Sequence, residues 1–266
     1  MKKMWRTLLA VILLGLAGLA YYLWKQGPTY RPAPPPPAEA TAPSPPAPSA
    51  AVEAAVQYPV PEQTDKPLPP LAESDAVARD ALTDLFGAKA VKQLFAPQEV
   101  IRRVVVTVDN LPRKVVSAQL MPTRPLDTPL RTSVEGGTLM LSPSNYERYT
   151  PYIRLVAMVD AKVFAAVYIR LYPLFQQAYR DLGYPKGYFN DRLVAVIDHL
   201  LDAPQSTGQI ALVQPHVFYR FVDPDLESLS AGHKLMLRIG NDNAAIVKKK
   251  LREIRKELVT LGPEVK

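Results

Sequence analysis

Residues 160–183 read DAKVFAAVYIRLYPLFQQAYRDLG, and they complete a long helical pattern that spans residues 145–182. Asp160 is placed to cap the second half of this pattern, since a side-chain oxygen there can accept a hydrogen bond from the first amides of a helix. Pro173 is expected to kink the helix because it has no amide hydrogen, and Gly183 is placed to end it. We therefore predict a long helical region at the centre of a folded domain.

Two further helices are predicted upstream of this region. Asp75 is placed to cap the first, whose apolar residues recur at helical spacing until Gly87 interrupts them. Pro97 is placed to begin the second, because proline suits the first turn of a helix, and that helix is expected to end near residues 111–112. The apolar residues of the second helix are predicted to lie on one face.

Downstream, the sequence predicts three more helices. Asn190 or Asp191 is expected to cap the first. The dipeptide at residues 223–224, Asp-Pro, is a strong start for the second, which Gly240 ends. Asn243 is expected to cap the last. The apolar seam of this last helix alternates spacings of four and three: Val247, Leu251, Ile254, Leu258 and Leu261.

Short strands are predicted between these helices. Residues 135–138, EGGT, suit the two-residue turn of a β-hairpin. Residues 209–222 alternate and are rich in β-branched and aromatic types, and Pro215 divides them into two short strands or one bulged edge. The predicted fold class is therefore α+β: one predominantly α-helical domain with short β-hairpins.

An apolar run of 18 uncharged residues, 7–24, lies near the N-terminus. As a helix it is roughly 27 Å long, close to the thickness of a bilayer's hydrocarbon core. The positive charges before it outnumber Lys25 and Arg31 after it, which places the N-terminus in the cytoplasm and the remainder outside. The alternative is a signal peptide cleaved near residues 18–20. The aromatic residues among 21–24 prolong the helix and favour a retained anchor.

Residues 28–71 contain 15 of the 28 prolines in the chain. Such a composition favours extended polyproline II structure without a core, so we predict a disordered tether. Fully extended, it reaches on the order of 130 Å. The predicted organisation is an N-terminus and transmembrane anchor at 1–27, a proline-rich tether at 28–71, and a folded periplasmic domain at 72–266.

The positive net charge of +7 is concentrated in two places. Residues 1–27 carry +4, and residues 248–256 carry six cations against one acid, so the rest of the folded domain is near neutral. Recognition of nucleic acid needs a basic face with stacking aromatics, which the sequence upstream of Lys248 does not have. We therefore expect no nucleic-acid partner, and the sequence does not indicate an oligomeric state.

No recognisable catalytic or metal motif is found in the sequence. The histidines, His199, His216 and His233, are 17 residues apart, so none forms a metal pair at helical spacing with another. The chain has no cysteine and no G-x-S-x-G elbow, and Ser230 lacks the spacing of an S-x-x-K motif. Phosphate-binding glycine loops are absent as well. The sequence predicts no catalytic residue, metal or cofactor.

Two groups of residues are candidates for ligand binding. Residues 146–149 place a cation and two aromatic rings at the start of a helix, a combination that can bind a carboxylate or stack on a sugar. Residues 227–238 place three charged side chains on one stripe of a helix, which equally suits a structural ion-pair network. The six candidates are Tyr146, Arg148, Tyr149, Glu227, Lys234 and Arg238.

Four segments together resemble a bacterial family of membrane-anchored envelope proteins known only as domain of unknown function 3014. They are residues 145–149 (NYERY), 172–179 (YPLFQQAY), 223–227 (DPDLE) and 237–243 (LRIGNDN). The resemblance covers most of residues 75–260. It implies a Gram-negative inner-membrane protein with no assigned activity, cofactor or catalytic residue.

Two functions from different classes remain. The first is a non-enzymatic envelope protein whose tethered domain binds another envelope component, a protein or peptidoglycan; one exposed apolar patch would favour it. The second is an envelope hydrolase or transferase, which needs two carboxylates facing each other across a cleft. The candidate carboxylates for the second function are Asp160, Asp181, Asp191, Asp198 and Glu227.

Overall fold

A computed structural model describes residues 55–61, 67–126 and 128–262 of the 266 residues. The predicted membrane anchor and most of the predicted tether lie outside this part. Within the described residues, no helix combines the length and the hydropathy that a membrane span requires. The α-helices of the described part are α1 Asp75–Phe86, α2 Ala88–Leu94, α3 Val100–Asn110, α4 Thr150–Met158, α5 Ala161–Asp181, α6 Phe189–Leu201, α7 Pro224–Ser228, α8 Ala231–Arg238 and α9 Asn241–Val259.

Two short antiparallel hairpins accompany the helices, so the predicted α+β fold class is confirmed for the described residues. The first joins β1 (Thr132–Glu135) to β2 (Thr138–Leu141) through a turn in which both glycines, at 136 and 137, have positive φ, as the EGGT pattern predicts. The second joins β3 (Leu212–Val213) to β4 (Arg220–Phe221).

Helix α5 is the centre of the domain. Asp160 caps it as predicted, because its carboxylate accepts hydrogen bonds from two amides of the first turn at 2.8 and 3.0 Å. The helix continues through Pro173 and ends before Gly183, whose φ is +113°. The predicted helical region at 145–182 contains α4 and α5 as separate helices, because the backbone becomes extended at Val159 before the Asp160 cap.

The main core lies between α5 and helices α1, α3, α6 and α9. Tyr168, Leu171 and Leu174 of α5 are buried there, together with Val105 of α3 and Leu258 of α9, both at 0% exposure. Burial of an aliphatic side chain of this size stabilises the fold by about 1.5–3 kcal/mol. The two hairpins and the short helices pack around this helical core.

The two hairpins form one small antiparallel layer. The Leu141 amide donates to the carbonyl oxygen of Ile210 at 2.8 Å, and a bridge joins Met140 to Ala211. The inner face buries Leu141 with Leu212 of β3, Phe221 of β4 and Leu237 of α8 in a second core. Because side chains alternate along a strand, neighbouring residues on the other face point away from this core.

Several predicted helix starts differ from the structure: the helix predicted from Pro97, for example, begins at Val100. Asp75 begins α1, but its carboxylate accepts hydrogen bonds from the amides of Glu99 and Val100, and so caps α3 instead. The single helix predicted from Pro224 to Gly240 is divided into α7 and α8. The division occurs because the Ser230 side chain accepts the His233 amide at 3.1 Å and caps a new helix.

The segment at residues 55–61, here called the strap, packs on the domain although it belongs to the predicted tether. Asp191 accepts hydrogen bonds from the amides of Gln57 and Tyr58 at 3.0 and 2.8 Å. Asn190, which is 0% exposed, donates to the Tyr58 carbonyl oxygen at 2.8 Å. Contrary to the prediction, neither residue caps its own helix, because both bind the strap. Leu71 is also buried in the main core.

Candidate functional site

Two of the segments that carry the family resemblance, residues 145–149 and 237–243, meet in the structure. Asn145 is fully buried, and its side-chain amide donates to the Arg238 carbonyl oxygen at 3.0 Å. Asn243 donates to the carbonyl oxygens of Tyr146 and Ile239 at 3.3 and 2.9 Å, so it links the segments rather than capping α9 as predicted. This meeting point, here called the joint, fixes the start of α9 against the residues that precede α4.

Gly240 is required at this joint for two reasons. Its φ of +85° is one that side-chain-bearing residues rarely adopt, and a Cβ atom there would lie 2.7–2.9 Å from ring atoms of Tyr146. The Tyr146 ring therefore rests against the backbone where α8 gives way to α9. Burial raises the pKa of the Tyr146 phenol, so its hydroxyl stays protonated at physiological pH.

A cleft of about 460 Å³ opens beside this joint. Its polar lining includes Tyr146, Glu147, Ser206, Asn241 and Asn243. These side chains offer hydroxyl, amide and carboxylate groups. The Asn241 side chain is committed to the protein, since it accepts from the Ser206 amide at 3.2 Å and donates to the Ser206 carbonyl oxygen at 2.8 Å. The Ser206 hydroxyl is committed as well, since it donates to the Gly208 carbonyl oxygen.

Arg148 and Tyr149, predicted to bind a ligand together with Tyr146, lie beside the same joint. The Arg148 guanidinium donates to Asn145 Oδ1 at 2.6 Å and to Thr128 Oγ1 at 3.0 Å. It also lies 5.7 Å from the centre of the Tyr149 ring. These contacts hold the chain around Thr128 against the joint. Tyr146 is the member of the trio that lines the cleft, and a ligand role for the trio stays a prediction.

The second predicted group, Glu227, Lys234 and Arg238, forms a structural network. Lys234 Nζ lies 3.1 Å from Glu227 Oε1, and Glu227 Oε2 accepts the Phe221 amide at 3.0 Å. The Arg238 guanidinium lies 5.5 Å from the centre of the Phe221 ring. Desolvation alone would raise the pKa of Glu227, but the hydrogen bonds from Phe221 and Lys234 outweigh it and lower that pKa. The network fastens β4 to α7 and α8.

Two histidines and a serine converge between α6 and α8, although their sequence spacing gave no sign of it. The rings of His199 and His233 are stacked with centres 4.0 Å apart, and His199 Nε2 lies 2.7 Å from Ser230 Oγ. A serine nucleophile also needs amides that stabilise an oxyanion. The amides that follow Ser230 donate instead to the carbonyl oxygens of Arg113 and Leu111, at 2.7 and 2.8 Å. The cluster is therefore a packing contact between two helices.

The five carboxylates proposed for acid–base chemistry each have a structural partner. Within the described residues, no group of three or more metal-ligating side chains is placed to hold a metal ion. The partners are the first-turn amides of α5 for Asp160, Arg102 for Asp181, the strap amides for Asp191, Arg255 for Asp198, and Lys234 for Glu227.

The hairpin at residues 212–222, here called the apolar hairpin, exposes large apolar side chains. Val217 and Phe218 in its loop are 78% and 80% exposed, and Val213 and Val222 on the outward face are 45% and 52% exposed. Sequence reasoning predicted the strands but missed this surface. The available signal was a pair of bulky apolar residues placed after Pro215 in a connecting loop, where polar residues are usual.

One comparison with known proteins gives a match. The family model described as a protein of unknown function, DUF3014, matches residues 100–255. No curated protein and no solved structure matches the chain. The matched residues include both sides of the cleft, the apolar hairpin and the histidine pair, and they exclude the strap. Because the match covers more than half of the 266 residues, the chain belongs to the DUF3014 family of proteins of unknown function.

Proposed function

We propose that this chain is a single-pass bacterial inner-membrane protein whose domain binds another component of the cell envelope without catalysis. Its N-terminus would lie in the cytoplasm and its domain in the periplasm. The apolar run at residues 7–24 supports the anchor, and the proline-rich composition of the residues after it supports the tether. The tether confines the domain near the membrane while allowing it to reach a partner.

The apolar hairpin is the observation that carries the binding role. Val217 and Phe218 are adjacent, about four-fifths exposed, and flanked by the half-exposed Val213 and Val222. Exposed apolar residues that occur singly are ordinary, but several of them within one short hairpin are typical of an interaction site. Covering the Phe218 side chain alone would contribute about 1.5–3 kcal/mol to binding.

The partner that fits this surface is a protein with an apolar depression and an acidic rim. Residues 212–222 include no acid, and the exposed Arg220 and His216 lie beside the apolar side chains. A carboxylate on the partner could therefore pair with Arg220 at the edge of the contact. A glycan would require a polar surface rich in hydrogen-bonding groups, which this hairpin does not offer, so peptidoglycan is the less suitable partner.

The arrangement of the polar groups supports a non-catalytic role. The candidate carboxylates are held in ion pairs and caps, and the amides after Ser230 are hydrogen-bonded to carbonyl groups. An acid–base pair needs a carboxylate free to exchange a proton with a substrate. The partners that these carboxylates already hold therefore favour a binding role over an acid–base role.

In-cell crosslinking of the full chain, followed by mass spectrometry, tests this proposal. We expect one envelope protein to be enriched over a control that contains only the anchor and tether. Substitution of Val217 and Phe218 by serine should abolish that enrichment, whereas Met158→Ser, at another site that is 70% exposed, should preserve it. Enrichment of a glycan, or enrichment that survives the hairpin substitutions, would contradict the proposal.

The predicted topology has a separate test. A periplasm-active reporter fused after the last residue should be active, and a cytoplasm-active reporter at the same place should be silent. The reverse result would contradict the proposed location without bearing on the apolar hairpin.

A further inference from the structure

The C-terminal half of α9 presents a row of exposed cations, here called the cationic stripe. Lys249, Arg252 and Lys256 are spaced by three and four residues, so they lie on one face of the helix. The other cations of this half have partners: Lys248 donates to the Ala203 carbonyl oxygen, Lys250 pairs with Glu253, and Arg255 pairs with Asp198. Within the described residues, no ion pair involves the three members of the stripe.

The strap joins the domain at the same end of α9. Arg255 interacts with the Tyr58 side chain, and Gly262 is packed so closely on Pro59 that a Cβ atom there would lie 2.8 Å from the proline ring. Asn190 and Asp191 fasten the strap backbone beside them. The residues that lead to the predicted anchor therefore enter the domain next to the cationic stripe.

The apolar hairpin packs near the N-terminal end of α9. Its inner residue Phe221 packs with Leu237 and Tyr146, and the Tyr146 ring rests on Gly240 at the helix start. Gly240 and Arg255 are 15 residues apart, which corresponds to about 22 Å along a helix. The cationic stripe, which begins nine residues after Gly240, and the apolar hairpin are therefore separate surfaces of the domain.

We propose that the cationic stripe, rather than the apolar hairpin, rests on the anionic phospholipid surface of the membrane that holds the anchor. This proposal rests on the anchor proposed above. Each lysine or arginine near an anionic lipid surface strengthens binding about fivefold, so three of them give about a hundredfold. The tether raises the local concentration of the surface, so this modest attraction is sufficient to orient the domain.

The test uses the full chain, which has no cysteine and therefore accepts single labelling sites. A fluorophore is attached to Thr260→Cys, next to the stripe, or to Phe218→Cys, on the apolar hairpin. Each protein is reconstituted into vesicles of neutral phosphatidylcholine, or of phosphatidylcholine with anionic phosphatidylglycerol, that carry a quencher on the lipid headgroup. We expect stronger quenching of the Thr260→Cys label in the anionic vesicles, and no such increase for the Phe218→Cys label.

Two triple variants with the same change in charge provide the comparison. Lys249→Gln, Arg252→Gln and Lys256→Gln together should reduce quenching of the Thr260→Cys label to its level in neutral vesicles. The control replaces three exposed lysines elsewhere by glutamine and should leave quenching unchanged. The control lysines are Lys89, Lys92 and Lys186.

Three results would overturn the proposal: equal quenching in neutral and anionic vesicles, equal loss in both triple variants, or stronger quenching at the apolar hairpin than at the stripe. Retention on neutral vesicles during flotation reports the anchor separately. A chain that neutral vesicles do not retain refutes the anchor and this proposal with it. A retained chain whose quenching does not depend on lipid charge refutes only the docking of the stripe.

Discussion

Replacement of Asp109 by alanine should destabilise the domain far more than replacement of any of the five candidate acid–base carboxylates. Asp109 lies near the end of α3 with its side chain only 4% exposed. Its carboxylate accepts hydrogen bonds from Arg192 Nε at 3.0 Å, from Arg113 at 2.6 Å and from the Tyr184 hydroxyl at 3.2 Å. It thereby connects α3 to α6 and to the chain between α5 and α6.

The expected loss of unfolding free energy depends on how well Arg192 and Arg113 are accommodated once the Asp109 carboxylate is removed. Removing one member of a buried ion pair costs about 3–5 kcal/mol, because the other charge stays desolvated. Arg192 is 28% exposed and also donates to the Asp109 backbone oxygen, which alanine retains, and Arg113 is 54% exposed and can regain water. We therefore expect about 3 kcal/mol, at the lower end of that range.

Asp198→Ala is the matched control. Asp198 pairs with Arg255, but the two side chains are 42% and 34% exposed, so the loss should be about 0–1 kcal/mol. Urea unfolding of both variants and the wild type, followed by the helical circular dichroism signal, measures the difference. Asp109→Asn should lie between, since it keeps hydrogen-bonding capacity and loses the charge. If Asp109→Ala and Asp198→Ala differ by less than about 1 kcal/mol, the assignment of Asp109 as a buried ionic joint is wrong.

Three other perturbations have defined outcomes. Gly240→Ala should cost about 2 kcal/mol or more. Adding Tyr146→Ala should relieve the steric part of this cost but leave about 1 kcal/mol of backbone strain, which a double-mutant cycle of unfolding free energies measures. Burial and the neighbouring His233 lower the pKa of His199, so the stability that neutral His199 contributes is complete above about pH 6.5 and is lost as the pH falls through its folded-state pKa. His199→Asn should therefore flatten this part of the pH–stability profile. An unchanged profile would show that His199 is not the group responsible. Asp191→Ala should release the strap and raise amide hydrogen exchange at Gln57 without changing exchange in the core of α5; unchanged exchange at Gln57 would show that Asp191 does not hold the strap.

The sequence was sufficient where a local pattern determines local structure. Asp160 caps α5 because its own backbone position places the carboxylate over the first turn, and the EGGT turn forms because two glycines can both adopt positive φ. These features depend on residues within a few positions of each other. The α+β class and the two hairpins were therefore predictable.

Polar side chains near helix starts were predicted less well. Asp75, Asp191 and Asn243 are each predicted to cap their own helix, but they bind backbone groups 25, 133 and 97 residues away. A capping propensity indicates that a side-chain oxygen or amide forms a hydrogen bond with a backbone group. Tertiary packing determines which backbone group that is. The same limit hid the cleft, since it forms only when Tyr146 packs on Gly240.

Site-specific photo-crosslinking in living cells decides whether the apolar hairpin is the binding surface. A photoreactive amino acid replaces Phe218 in the full chain, and in a parallel strain it replaces Met158, which is similarly exposed on α4. We predict one discrete protein adduct from position 218 and none from position 158. Equal adducts from both positions, or an adduct only from position 158, would contradict the proposal that this domain binds its partner through the apolar hairpin.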